Sequence, residues 1–463
     1  MSSVDHNMHQ LYLASTRRLF RQDFLLDTPA SRAFLFFTII FIVSPLSLYF
    51  NRLFSLLVVF GFILASLFFL VIPKFSVLRA RTPIDLACAV FLGYMSLSCV
   101  FGLISGHLVS NTIADLVSPL EIYLCFQIAK RIDFSKKVVL EGWLKWILVL
   151  ATARASWQVF TTLAQIRVLA PIYDASSLLP MATIGRFTYL RPIDPISGIM
   201  LAIALMFYIF GFQRKWSLVT AIVTAAVVIL GLTRSEWIAG VLAVFVAMFY
   251  GSKFRKTIKT FVVIGLILAA ILAISPDLYQ ALTDRLITRT VDQITSSDVT
   301  SSEDITVGAL RILEFGTAIE KFHTAPIFGH GLGSWFGTIV SYDGRDRTFV
   351  QLHNSYLNLL TNTGLVGVSL LLIVMLKVRK FLLFNLRHKD VAVRVLFCVG
   401  AGSLTWYGIF MAFEPIYSAY HLPALIGTIW GLATRMSKIS PEQAVVASIS
   451  TNPTRGTSPT ISS

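Results

Sequence analysis

The chain is 463 residues long, 56% apolar and only 14% charged, with a mean hydropathy of +0.74. A soluble globular protein carries about 25% charge, so that class is excluded. The net charge of +15 does not point to nucleic acid, because Lys and Arg gather in short links between apolar runs, where they set topology.

Apolar runs of roughly 18–21 residues recur along the chain and match the hydrocarbon thickness for helices. They lack the alternation of an outer-membrane barrel. The window rule yields about twelve spans: Ala33–Phe50, Leu53–Ile72, Ile84–Ile104, Ile113–Ala129, Trp143–Leu163, Pro195–Phe212, Trp216–Leu232, Trp237–Tyr250, Thr257–Ile274, Tyr356–Leu376, Val395–Phe413 and Leu422–Ala433. The fold class is therefore an all-α polytopic membrane protein.

A polar tail, residues 1–32, precedes the first span and holds Arg17, Arg18, Arg21 and Arg32. That span has no small-residue cleavage site and reads as an anchor rather than a signal peptide. Basic residues follow every even-numbered span: Lys74, Arg79 and Arg81; Lys130 and Arg131; Arg214 and Lys215; Lys253 and Arg255; Lys377, Arg379 and Lys380. Both termini are accordingly cytoplasmic. The division is a transmembrane block 33–274 with an outer loop 165–194, one large extracytoplasmic loop 275–352 between spans nine and ten, a motif helix with the last spans 353–436, and a disordered tail 437–463. Cys88, Cys99, Cys125 and Cys398 fall inside apolar runs without metal-ligand spacing and read as small packing residues.

Within the large loop, Ala309–His323 has helical periodicity. Ile312, Phe315, Ala318, Ile319 and Phe322 share one face, and Glu314, Thr317, Glu320 and Lys321 the other. Arg311 falls on the apolar face, where it needs a carboxylate partner or a phosphate, whose oxygens a guanidinium holds bidentately. The helix runs into Pro326, Gly329, Gly331 and Gly333, glycines that let backbone approach a ligand or only turn the chain. His323 and His330 flank that turn.

His353-Asn354 then opens the next apolar helix, with Gly364 and Gly367 further along it. On a continuous helix His353, Leu357, Leu360 and Gly364 share one face. An imidazole at a membrane–water boundary is suited to general-base work near neutral pH. In the smaller loop, Arg186 and Arg191 precede Asp194-Pro195 and either pair with Asp174 and Asp194 or bind an anion. Glu121 and Arg154 lie at similar depth on adjacent spans and are expected to pair with each other.

These patches resemble the O-antigen ligase and polysaccharide polymerase superfamily, which includes Wzy-type and exopolysaccharide repeat-unit polymerases. The H-N-x9-G-x-x-G signature is matched by His353, Asn354, Gly364 and Gly367. The arginine-led helix with its P-x-x-G-x-G turn is matched by Arg311, Pro326, Gly329 and Gly331, and the Arg before a polar-Pro pair by Arg186 and Asp194-Pro195. Where the family often has Ser-Arg at the outer end of span seven, this chain has Thr233-Arg234-Ser235-Glu236.

The resemblance implies metal-independent glycosyl transfer, without a cofactor, on the outer face of a bacterial inner membrane. The donor would be an undecaprenyl-diphosphate-linked oligosaccharide and the acceptor a glycan hydroxyl. His353 would be the base, and Arg311 and Arg186, with Arg191, would hold the diphosphate. Asn354, His330 and Arg234 would support them. Membrane lipids, a flippase and chain-length or export proteins are the implied partners. Polymerisation of repeat units and ligation to lipid A core both fit. From other classes, a glycan transporter fits the span count but not the missing internal symmetry, and a scaffold without activity also remains open.

Overall fold

The computed structural model describes residues 82–130, 137–163, 181–184, 187–190, 195–231, 234–250, 307–340, 346–349, 354–386, 390–413 and 421–437, with single positions such as Leu352 between them. Spans one, two and nine of the sequence reading lie outside these residues, apart from isolated positions such as Gly61 and Val262, and so do Arg186, Arg191 and His353. The described helices are α1 (Pro83–Ile104), α2 (Val109–Ala129), α3 (Lys137–Leu163), α4 (Pro195–Phe210), α5 (Arg214–Gly231), α6 (Arg234–Tyr250), α7 (Val307–Thr324), α8 (Ser355–Phe384), α9 (Val391–Phe410) and α10 (His421–Met436). Among the described residues, α1, α2, α5, α8 and α9 are long and apolar enough to cross a membrane.

Two antiparallel hairpins depart from the all-helical expectation. Strand β1 (Met181–Ile184) pairs with β2 (Phe187–Leu190), and β3 (Gly337–Val340) with β4 (Asp346–Phe349). Both lie in the two long loops. Four-residue strands are too short for a period-two pattern to stand out from loop composition.

Helix starts follow local chemistry. Thr82 caps α1 in a capping box: its Oγ1 accepts from the Asp85 amide at 3.2 Å, and Asp85 Oδ2 accepts from the Thr82 amide at 2.9 Å. Asp85 also accepts from Lys130 Nζ at 2.5 Å and Gln127 Nε2 at 3.1 Å, joining the start of α1 to the end of α2. Asp390 caps α9 by accepting from the Ala392 amide at 2.8 Å.

Helix α9 is the axis of the bundle, packing against α4, α6, α8 and α10. Its glycines admit neighbours: Leu382 against Gly400, Met206 against Gly402 and Met375 against Gly408. Helices α2 and α10 form the densest pair, and α1 packs on α2 and α8. Leu86, Val90, Leu97, Val100, Phe101 and Ile104 leave one side of α1 exposed and apolar, a surface suited to lipid.

The expected Glu121–Arg154 pair does not form. Helix α2, which holds Glu121, packs on α10 and α1, whereas α3, which holds Arg154, packs mainly on α5. Glu121 is fully buried near Tyr407 with neither carboxyl oxygen hydrogen-bonded, and Arg154 is engaged elsewhere. Equal depth on consecutive spans did not make them neighbours, because the chain does not pack its helices in sequence order.

Candidate functional site

Helix α7 covers the expected Ala309–His323 helix and extends it slightly, but its buried side differs from the wheel reading. Ala318 and Glu314 are buried, while Phe315 is 54% exposed. An alanine seats α7 closely on its neighbours. Ala318 packs with Phe336, Leu352 and Leu357, so the residues flanking His353 and Asn354 lie against the helix that carries Arg311. Arg311 stands about two turns before Ala318.

The second seam is the glycine turn, and it runs alongside α1 rather than beyond its end. Tyr94, roughly 15 Å along α1 from Ile104 at 1.5 Å per residue, donates from its hydroxyl to Thr363 O at 2.7 Å and Phe328 O at 3.2 Å. Further along, Leu332 N donates to Ser98 O at 3.1 Å, and Thr112 Oγ1 and His107 Nδ1 lie 3.2 and 3.0 Å from Leu332 O. A Cβ at Gly331 would sit 2.6 Å from Gly102 Cα. The glycines therefore admit a neighbouring segment of this same chain, which settles the choice between ligand approach and packing at this position.

The turn also knits onto α8. Helix α8 breaks at Gly364, with φ 65° and ψ −167°, a left-handed φ that favours glycine. The break frees carbonyls and amides that the turn satisfies. His330 N donates to Thr361 O at 3.0 Å and Gly331 N to Asn362 O at 2.9 Å. In return, Leu365 N donates to Pro326 O at 2.9 Å and Val366 N to Ile327 O at 3.2 Å. Irregular backbone beside an apolar helix is tolerable only with such closure. The apolar run Tyr356–Leu376 is thus two helical pieces, and the single face expected from His353 to Gly364 does not continue past the kink.

Asn354 caps α8: its Oδ1 accepts from the Leu357 amide at 3.0 Å. Its place beside His353 is therefore explained by helix initiation. His330 Nε2 lies 2.9 Å from both Lys321 O and Thr324 Oγ1, so it donates to a late carbonyl of α7 and acts as a helix cap. His323 is exposed. Lys321 donates to the Trp335 carbonyl, and its ammonium stands 4.9 Å from the Phe336 ring centroid. Burial pulls Lys321 down to about 8.

Two residues absent from the sequence reading complete the seam. Asp115 of α2 accepts through Oδ2 from Gly333 N at 2.9 Å and Asn362 Nδ2 at 3.0 Å, and Tyr94 latches the kink. Asp115 had a readable signal, a carboxylate inside an apolar span; a lone Tyr had none. Arg234 is the first residue of α6, and Arg186 lies between β1 and β2, outside the described residues with Arg191. Among the described residues no His, Cys, Asp and Glu cluster has the geometry to hold a metal ion.

No curated protein matches the chain. The family model described as O-antigen ligase matches residues 219–372. That stretch contains Arg234, α7, the glycine turn, His353 and the kink of α8, and leaves Arg186, Arg191 and Asp115 outside it. The chain thus carries an O-antigen ligase family domain at residues 219–372.

Proposed function

We propose that this protein is an inner-membrane glycosyltransferase that moves an undecaprenyl-diphosphate-linked glycan onto an acceptor sugar hydroxyl at the periplasmic face. The observation that carries this reading is the apolar cluster of Ala318, Phe336, Leu352 and Leu357, within the stretch that the O-antigen ligase family model matches. It brings the Arg311 helix against the segment that contains His353. In this mechanism His353 takes the acceptor hydroxyl proton, and the hydroxyl oxygen attacks the anomeric carbon. The bond from that carbon to the diphosphate breaks with inversion, and the charge released onto the diphosphate is held by Arg311, with Arg186 and Arg191 as further contacts. A diphosphate is a good leaving group, so the paired carboxylate acid of glycosidases is unnecessary.

Polymerisation of lipid-linked repeat units is the reading we adopt. Ligation of a finished chain to lipid A core is the second, favoured by the description of the matching family model. A His353→Ala chromosomal variant tests the chemistry. Loss of polymer with build-up of lipid-linked glycan is expected, and a drop of about a hundredfold or more in transfer follows from losing a general base. Normal polymer yield and length in that variant would remove His353 from the mechanism. Single repeats on the carrier would mark a polymerase, and full-length chains stranded on the carrier a ligase.

A further inference from the structure

We infer that Asp115 is a positioning residue for the transfer reaction, resting on the function proposed above. Its carboxylate is 1% exposed and belongs to neither segment that carries the candidate chemistry. It nonetheless holds one atom of each. Gly333 follows the Arg311 helix through the glycine turn, and Asn362 lies two turns into the helix that His353-Asn354 opens. Oδ2 of Asp115 accepts from both, at 2.9 and 3.0 Å. Asn362 closes the link by accepting from Ser334 Oγ at 2.5 Å through its own Oδ1.

The rest of the corner between α1 and α2 seats the turn through Ser98, His107 and Thr112, all acting on Leu332 backbone. From α1, the Tyr94 hydroxyl joins the turn to α8 by donating to Phe328 O and Thr363 O, and Ser98 Oγ reaches Asn362 O at 3.4 Å. From α2, Asp115 adds the bridge made by a carboxylate, one oxygen of which accepts from both turn and α8. A carboxylate is a costly choice within an apolar helix and is kept where it does specific work. Transfer between a base and a held diphosphate depends on their separation, and a slip of about 1 Å costs on the order of a hundredfold in rate. An acceptor shared by the two segments adds to the backbone hydrogen bonds between turn and α8 in fixing that separation.

The hydrogen-bond inventory makes the role testable by removing or keeping the acceptor. Both donors reach the same oxygen, Oδ2, so in Asp115→Asn the amide oxygen in that position still accepts from Gly333 N and from Asn362 Nδ2. In Asp115→Leu neither donor keeps this acceptor. In Asn362→Leu the α8 side of the bridge is lost while Asp115 still accepts from Gly333 N.

The experiment uses the full chain in nanodiscs, with lipid-linked glycan extracted from a deletion strain as the donor probe. Turnover and donor KM are read beside hydrogen–deuterium exchange of the 326–336 peptide. Asp115→Leu and Asn362→Leu are each expected to lose roughly tenfold to a hundredfold in kcat with donor KM within about threefold, and to exchange faster in that peptide. Asp115→Asn is expected to keep both readouts within about threefold of the wild type. Wild-type kcat in Asp115→Leu and Asn362→Leu, or a loss in folded Asp115→Asn as large as in Asp115→Leu, overturns the role. If the wild type itself transfers nothing, the proposed function fails. The exchange data then decide the clamp alone: faster exchange in Asp115→Leu and Asn362→Leu with wild-type exchange in Asp115→Asn supports it, and unchanged exchange rejects it.

Discussion

At the scale of single residues, Gly364 bears the sharpest constraint. Its φ of 65° penalises any L side chain, and a Cβ there would overlap the Ile327 carbonyl. Gly364→Ala should cost on the order of 2–4 kcal/mol, combining backbone strain with overpacking. A lower Tm in detergent together with weakened transfer is the expected outcome, and an unchanged Tm would show that the kink relaxes freely. Lys321 makes a pH prediction. Its folded value of about 8 lies below the ordinary 10.5, so between these values the unfolded chain holds the extra proton and stability rises with pH. The Trp335 carbonyl and Phe336 ring offset part of the burial cost without reversing it. Relative to Lys321→Met, the wild type should gain Tm as pH climbs from about 8 to about 10.5; a flat or falling difference would contradict the burial of the ammonium.

At the scale of elements, close packing depends on small residues that hydropathy ranks as unremarkable. Helices α2 and α10 meet where Gly427 faces Ile122 and Gly431 faces Phe126 and Ala129, the small-xxx-small spacing that lets membrane helices touch backbone to backbone. A Cβ at Gly427 would lie 2.9 Å from Ile122 Cα. Gly427→Val should therefore abolish the monodisperse peak in fluorescence-detected size exclusion, whereas Leu86→Val, on an exposed face of α1, should leave it intact. Most helices within the described residues are readable from sequence to within a few residues, and five of them are long and apolar enough to cross a membrane, because apolar length is a local property. Helix α7 is readable as a helix, but its buried face is not. The wheel assumes that the apolar side goes in, yet Glu314 is buried and Phe315 exposed because the neighbour that decides is a distant segment of chain.

For the whole molecule, the positive-inside reading places the α1–α2 corner outside and the basic end of α8 inside. Ser110 and Lys380 are both exposed, and the native cysteines are all buried, so single-cysteine labelling has little background. A membrane-impermeant maleimide should label Ser110→Cys in intact spheroplasts and Lys380→Cys only after lysis; the reverse pattern would invert the proposed topology and detach the site from the periplasm. The candidate site is half legible by the same logic. His353, Arg311 and the spaced glycines stand out as polar or flexible residues in one stretch of chain, so local pattern and family resemblance find them. Asp115 and Tyr94 sit in distant spans, and only the fold makes them neighbours of that stretch. Hydrophobic length, charge placement and side-chain type act locally, so residue order alone points to a helical membrane protein, its apolar segments and the candidate site residues. Which groups meet is a property of the packed bundle. The glycines accommodate the chain itself, Glu121 and Arg154 stay apart, and a buried carboxylate and a tyrosine hydroxyl from two other helices join the glycine turn to α8, because helix order in the bundle is set by long-range packing that no short window of sequence contains.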